Sequence, residues 1–512
     1  MRSYLIGIDS GTTTIKVAAY DLDGNIKAVY SNRVELRHPE HGWAEQDMME
    51  IWAKTRDLLR KLSRKIGAEN IISIGLSGQS GGLWLVDRYM RPVRMGITWM
   101  DLRGAKIIEK MGENAAKYYD VCGWKVFPGA GAILLRWIKD HEPDNFKKIK
   151  YILRCKDWIK LKLTGEPSSD LTDMIGFTNP EKKEYAPEIM ELVGLDRSLI
   201  ELMPPLIDSW KVCGYVSEEG SKETGLKQGT PVVSGAYDVC SSALGAGAIR
   251  HSQFFVILGT AGIYAAISDR LLKDKNRRIS INPHCVPGVY VLNSQSMLAT
   301  PNLDWFIREF CKDLVEEAQR TGKNIYSVCD ELVERAEENS GPVIFHPFLQ
   351  GEIGPFTNPN ARAMLFGLSI EHRRDNLIKA IYEGVGYSML DNLFQLSNLL
   401  RAEFKEITVI GGGAKSRTWL KIISNISGSR VIVPVGEEFG CRGAAMNAGV
   451  GVGVFKDHED ALKHFFKIKL KIEPDYEKTK RYRRIFRIYQ EIYQRVWDLW
   501  NDLQTLRSEG CK

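Results

Sequence analysis

The chain opens with an apolar run from Tyr4 to Ile8, a polar break at Asp9-Ser10-Gly11-Thr12-Thr13-Thr14, and a second apolar run over 15–20. Two short apolar runs around a Gly-Thr-rich break predict a β-hairpin. Region 26–34 predicts a third strand, and apolar positions three and four apart over 48–65 predict an amphipathic helix with Asp47 as its N-cap. The apolar run 71–77 predicts a buried strand of the parallel type, ending in the polar loop Gly78-Gln79-Ser80-Gly81-Gly82. Loops at the carboxyl ends of such strands are where open α/β sheets bind ligands. Ile97 to Arg103 reads as a short strand and loop, and helices are predicted over 133–138 and 158–163. Region 231–238 predicts a strand ending at Asp238, followed by a small-residue helix over 239–247.

The opening pattern then returns. Phe254 to Leu258, the turn Gly259-Thr260-Ala261-Gly262 and a second apolar run form another Gly-Thr hairpin. Two such hairpins at the heads of successive segments predict a duplicated architecture with a nucleotide between the halves, and a domain boundary near Gly247 (1–247 and 248–512). The second half continues with a strand at 290–293, helices at 303–311 and 324–338, and a long helix over 374–400. A strand at 407–410 then runs into Gly411-Gly412-Gly413-Ala414 and a helix that Ser416 could cap, followed by a strand at 431–434. A last helix over 476–506 carries Tyr482, Phe486, Tyr489, Tyr493, Trp497, Trp500 and Leu503 at spacings of three and four, a packing stripe for core or interface.

The chemistry follows from these turns. Gly11 lets the backbone approach a phosphate closely while amides and hydroxyls of 11–14 donate hydrogen bonds, and Asp9 stands where a hydrated magnesium ion needs a carboxylate. The plainer alternative for this stretch is an ordinary hairpin with a polar turn. The plainer reading of Asp238 is the N-cap of its helix, and that of Trp99 is core or rim packing. The glycines at 411–413, between a strand and a helix, suit a flat base or ribose lying on bare backbone.

Composition narrows the class. At 512 residues the chain is too long for one core. Seventy basic against 64 acidic residues give a formal net charge of +6, too balanced to call for a nucleic-acid partner and compatible with anionic small ligands. The nine cysteines, Cys511 among them, are scattered, odd in number and never in a Cys-x-x-Cys spacing. They point away from a disulfide framework or a zinc site and toward a reducing cytoplasm. No apolar run of eighteen residues is present to span a membrane.

Taken together, the motifs resemble the FGGY carbohydrate kinase family of the actin-like ATPase superfamily. They are Gly7-Ile8-Asp9-Ser10-Gly11-Thr12-Thr13, Gly42-Trp43-Ala44-Glu45-Gln46-Asp47, Gly229-Thr230-Pro231 through Asp238, Leu258-Gly259-Thr260, Gly411-Gly412-Gly413 and a second signature from Ala363 to Glu383. The resemblance covers nearly the whole chain. It implies an α/β fold of two actin-like (ribonuclease H-like) domains around a central nucleotide cleft, an N-terminal sugar-binding domain and a C-terminal nucleotide-binding one. Glycerol kinases carry other residues at Ser80-Gly81, Gly129 and Val239, which argues against glycerol, and D-xylulose kinases usually carry Met-His at Ser80-Gly81. The stretches 42–52, 134–143 and 437–445 look most like the L-xylulose and 3-keto-L-gulonate kinases, with erythritol kinases as neighbours.

The activity implied is transfer of the γ-phosphate of ATP, with Mg2+, to a primary hydroxyl of a xylulose-like ketopentose or a related sugar or polyol. In that frame Asp238 is the catalytic base and Asp9 the metal ligand. Gly11, Thr12, Thr13 and Thr14 face the β- and γ-phosphates, Gly259 and Thr260 clamp the nucleotide, and Gly411, Gly412, Gly413 and Ala414 receive the adenosine. Gln79, Trp99 and Asp101 join Asp238 around the sugar. A homodimer through the aromatic C-terminal helix is compatible with the sequence. The alternatives of another kind are an actin-like ATPase with no small-molecule acceptor and a sugar-binding sensor.

Overall fold

The computed structural model describes residues 3–336 and 341–509, so the expected helix end at 337–338 and Cys511 lie outside the described residues. Two compact units are formed: Met1–Arg250 with Ser268–Val291 and Glu438–Phe466, and His251–Ile267 with Leu292–Glu437 and Lys467–Lys512. The chain thus first changes unit between Arg250 and His251, close to the expected break at Gly247, and two later segments rejoin the first unit.

In the first unit, the strands run in the order Val212–Tyr215, Pro231–Val233, Ile71–Gly78, Tyr4–Ser10, Thr14–Tyr20, Ile26–Arg33. Tyr4–Ser10 is antiparallel to Thr14–Tyr20 and parallel to Ile71–Gly78, and all its residues but Asp9 are buried. Ile26–Arg33 is the edge strand, with every second residue from Lys27 onward exposed. The helix Met48–Ile66 forms as expected, because Asp47 Oδ1 accepts from the amides of Met49 and Glu50 and because Ile51, Trp52, Leu58, Leu59 and Leu62 share one apolar face.

The other contacts to this sheet depend on small residues. The helix Phe439–Gly451 lies against Tyr4–Ser10 and Ile71–Gly78, where a Cβ on Gly7 would stand 1.8 Å from the Cys441 carbonyl oxygen and one on Gly75 1.9 Å from that of Ala444. The same helix meets Asp238–Gly245 through Gly443, whose Cβ would stand 1.9 Å from the Ser241 carbonyl oxygen. Only glycine permits such backbone approach. It explains why two central strands carry a glycine at their middle.

The second unit repeats the pattern: Tyr290–Ser296, Gly262–Ser268, Phe254–Leu258, Glu406–Ile410, Arg430–Pro434, Ile468–Ile472. Again an antiparallel hairpin is flanked by parallel neighbours, since Phe254–Leu258 is antiparallel to Gly262–Ser268 and parallel to Glu406–Ile410. The long helix Arg374–Leu400 matches its expected span.

Several elements differ from the expectation, among them the helices Asn114–Cys122, Glu218–Thr224 and His458–Phe465 and the strand Ile468–Ile472, which were not expected, and three more. The 231–238 strand is two short strands, Pro231–Val233 and Ala236–Tyr237, because Gly235 between them has φ +81°. A helix at Lys312–Thr321 was not expected, and it ends at Gly322 in the left-handed region. The C-terminal helix is two, Tyr476–Arg495 and Trp497–Glu509, with Val496 near φ −94°, ψ 8° between them. Tyr482, Phe486, Tyr489, Tyr493 and Trp500 of the stripe are buried, whereas Leu503 is exposed.

Candidate active site

Asp9 is the last residue but one of the first strand, opposite Lys16 in the hairpin register and beside Ser77 of the parallel neighbour. The Ser77 hydroxyl donates to Asp9 Oδ1 at 2.9 Å, and Lys16 pairs with Glu438 at 2.7 Å. Burial pushes the Asp9 carboxyl up from its ordinary range; the Ser77 bond and the Lys16 charge oppose this, and Glu438 adds to it. Asp9 Oδ2 looks onto Gly440, where a Cβ would come within 2.4 Å of it. Bare backbone therefore keeps space beside that oxygen. Among the described residues no group of three His, Cys, Asp or Glu side chains gathers into a metal cage. A single open carboxylate fits magnesium, which keeps several waters and takes further oxygens from phosphates.

The turn after Asp9 closes with the Gly11 amide donating to the Thr14 carbonyl at 3.1 Å. Thr13 is exposed and Gly11, Thr12 and Thr14 are half-buried. The Thr12 hydroxyl is already engaged, donating to Gln79 Oε1 at 3.0 Å and accepting from Trp99 Nε1 at 3.0 Å. Its backbone is engaged as well, for Gln46 Nε2 donates to the Thr12 carbonyl at 2.7 Å while Gln79 Nε2 donates to Gln46 Oε1 at 2.7 Å. Thr12, Gln46, Gln79 and Trp99 thus form one hydrogen-bonded set joining the hairpin turn to the loop after Ile71–Gly78.

Asp238 is the first residue of the helix Asp238–Gly245, with Tyr237 in the capping position and no side-chain cap there. The alternative that Asp238 is the helix cap is therefore not what the structure displays. Its carboxyl is raised well above the ordinary range, first by burial, then by the charges of Asp9 and Asp173, against a hydrogen bond from the Val239 amide. Asp173, fully buried, is raised as well, by burial and by Asp157 and Asp170, against the pull of Lys156 and Arg154. Both its carboxylate oxygens lack a hydrogen-bond donor.

Trp99 is 37% exposed, and its indole Nε1 is held by the Thr12 hydroxyl. Behind it the Ser80-Gly81 loop borders a small cavity whose lining includes Trp124, Lys125 and Phe127. Asp101 is placed otherwise than expected. It is wholly buried: Oδ2 accepts from the Ala44 amide at 2.7 Å and Arg103 Nη2 at 2.8 Å, and Oδ1 accepts from the Arg103 amide and Nε. Its oxygens are spent on Arg103 and the 42–47 segment, so it braces the Trp99 loop rather than answering hydroxyls.

In the second unit, the Gly259 carbonyl accepts from the Thr300 amide at 3.1 Å and hydroxyl at 3.0 Å, and the Thr260 carbonyl accepts from the Ala299 amide at 2.9 Å, leaving the Thr260 side chain exposed. Glu352 supports the preceding residues by accepting from the Met297 and Ile353 amides at 2.8 Å, and burial pushes its carboxyl up to about 8. Gly411 has φ +95°, with a hypothetical Cβ 2.7 Å from the Leu258 carbonyl oxygen. Gly412 faces open space, Gly413 packs on Leu258 and Ala414 is half-buried. Ser416 caps Arg417–Ser427 as expected, its hydroxyl accepting from the Trp419 amide at 2.9 Å.

Four residues near these groups escaped the sequence reading: Gln46, Thr172, Asp173 and Glu352. Gln46 stood inside a motif already quoted, and its position beside the Asp47 cap was the available signal. The others carry no local pattern.

Models of the FGGY family of carbohydrate kinases match this chain with their N-terminal domain over residues 4–245 and their C-terminal domain over 255–452. The chain is 29% identical to the probable L-xylulose kinase of Pasteurella multocida, over 98% of this chain and 100% of that one. It is 28% identical to the L-xylulose/3-keto-L-gulonate kinase of Escherichia coli, over 96% and 97% respectively. The crystal structure of xylulose kinase from Rhodospirillum rubrum superposes with a TM-score of 0.86 at 27% identity, covering 97% of this chain and all of that one. With both domain models matched in order along almost its whole length, this chain belongs to the FGGY family of carbohydrate kinases and has their two-domain, actin-like α/β fold.

Proposed function

We propose that this ATP-dependent sugar kinase phosphorylates a primary hydroxyl of a xylulose-like ketopentose or a related sugar or polyol, with Asp238 as its base. The observation that carries this reading is Asp238 itself, a half-buried carboxylate of raised proton affinity at the head of its helix, in the same unit as Asp9, Gln79 and Trp99. A base that takes a proton from an alcohol works best when its affinity is lifted toward the working pH. Phosphoryl transfer otherwise needs positioning and charge stabilisation.

The first unit is the sugar-binding one in this account and the second binds the nucleotide. The acceptor's carbons lie on Trp99, and Gln79 answers a hydroxyl by exchanging one of its present partners. Asp238 orients the attacking hydroxyl and accepts its proton as the oxygen closes on the γ-phosphorus. Amides of the 11–14 turn donate to the β- and γ-phosphates, and Gly259 and Thr260 offer donors to the nucleotide. Fixed donors of this sort stabilise developing charge without reorganising. The open backbone of Gly411, Gly412, Gly413 and Ala414 accommodates the adenosine. Asp9 would hold the magnesium ion, which would supply charge neutralisation at the phosphates. The free cysteines suit a cytoplasmic setting.

The acceptor class rests on the relatives, which are named for L-xylulose, xylulose and 3-keto-L-gulonate. The test is an ATP-consumption screen of the purified protein with magnesium against ketopentoses, tetritols and other polyols, 3-keto-hexonates and glycerol. A strong response to a ketopentose or a related sugar or polyol is expected. Steady hydrolysis that no acceptor accelerates would instead mark an ATPase without a small-molecule acceptor.

A further inference from the structure

Behind the segment that delivers Asp238 lies a set of charges with no exposure to solvent: Lys156, Asp157, Lys160 and Asp170. Lys156 Nζ pairs with Asp157 and Asp170, each at 2.7 Å, and Lys160 Nζ pairs with Asp157 at 3.1 Å. Buried ion pairs are poor stabilisers compared with apolar packing. Their neighbours show what else this set holds.

Two hydrogen-bonded paths run from the cluster to the chain just before Asp238. Lys160 Nζ donates to the Ser234 carbonyl at 3.2 Å, and the Ser234 hydroxyl donates to the Ser169 carbonyl at 3.3 Å. Three residues on, the Tyr237 amide donates to the Thr172 hydroxyl at 2.9 Å. That hydroxyl in turn donates to Asp170 Oδ1 at 2.5 Å, and the Thr172 amide donates to the same oxygen at 2.8 Å. The other Asp170 oxygen is the one paired with Lys156. Asp170 therefore fixes which way the Thr172 proton points, leaving a lone pair aimed at the Tyr237 amide.

The opposite edge of this segment is tied to the sheet, with Ala236 in register with Ser77 and Tyr237 with Gly78. Ser77 is the residue that hydrogen-bonds Asp9. One short segment is thus held on one edge by the strand that orders Asp9 and on the other by Thr172, and its next residue is Asp238.

We propose that Thr172, oriented by Asp170 and the buried Lys156, is a positioning residue for Asp238. It acts by fixing the Tyr237 peptide, so that the carboxylate at the head of the helix meets the acceptor hydroxyl in line. The proposal rests on Asp238 being the kinase base, and the test separates the two ideas.

Full-length wild-type protein is first assayed with ATP and its best acceptor; absence of acceptor-dependent turnover there counts against the kinase reading and not against Thr172. Thr172→Val keeps the shape and removes both hydrogen bonds, and Thr172→Ser keeps both. The valine variant is expected to lower kcat about ten- to a hundredfold, as small misplacements of a reacting group do. KM for ATP and acceptor should stay within about threefold, and serine should recover most of the loss. Thr172→Ala, which removes the same hydroxyl, replaces the valine variant if that chain does not fold. A kcat within about twofold of wild type in the hydroxyl-free variant, a loss confined to KM, or a serine variant as impaired as valine would each overturn the proposal.

Discussion

Asp238 must be ionised before it can take a proton from a sugar hydroxyl, and its surroundings resist that ionisation. Burial is the largest influence, followed by the negative charges of Asp9 and Asp173. Both charges act in the same direction, so neutralising one lowers the proton affinity of Asp238 and leaves it ionised at lower pH. Asp173→Asn is therefore expected to move the acid limb of the kcat/KM profile of the kinase reaction to lower pH. The measurement is initial rate at limiting acceptor between pH 5 and 9. An unmoved limb would disconnect Asp173 from the base. Asp101 teaches the complementary lesson about single residues. A carboxylate two positions after a site tryptophan looked available for hydroxyls, yet Arg103, two positions further, takes both its oxygens inside the protein. Sequence shows the residue types near a site but not which of them have already spent their hydrogen bonds on one another.

At the scale of elements, the helix Phe439–Gly451 governs how tightly the first unit closes on its own sheet. Its glycines and those of the strands have different tasks. Gly75 meets the Ala444 carbonyl, so an added methyl must push helix and strand apart, whereas Gly440 keeps space beside Asp9 Oδ2. Gly75→Ala is expected to lower the melting temperature, in line with an overpacking cost of about 1–3 kcal/mol or more. Gly440→Ala is expected to act on the chemistry instead, by displacing the Asp9 carboxylate and raising the magnesium concentration needed for half-maximal turnover severalfold. Thermal melts and magnesium titrations of both variants check this division. Equal melting loss with an unchanged magnesium requirement in Gly440→Ala would remove Asp9 from the metal role. None of this packing was legible in the sequence, because Gly7, Gly75 and Gly443 give no local pattern and their partners stand far away along the chain. The break at Val496 was hidden for the opposite reason: the aromatic spacing of three and four continues past it.

For the molecule as a whole, the repeated hairpin was the most informative feature. Tyr4–Ser10 with Thr14–Tyr20, and Phe254–Leu258 with Gly262–Ser268, each head a sheet with parallel neighbours on the far side. The turns that break those runs are visible as Gly-Thr clusters, so the duplication could be read from residues alone. The return of Ser268–Val291 and Glu438–Phe466 to the first unit could not, since it depends on contacts between segments distant in sequence. The candidate site divides in the same way. Asp9, Asp238, Thr260 and Gly411 stand at strand ends and turns, which the pattern marks, while Thr172 and Glu352 make hydrogen bonds that leave no trace in periodicity. The whole account depends on Asp238 as base, and the most direct measurement is acceptor-dependent turnover of Asp238→Asn beside wild type, with melting temperatures taken on the same samples. The account predicts a loss of about 10²- to 10⁴-fold with an unimpaired melt. Turnover within a few-fold of wild type in a folded variant would contradict it.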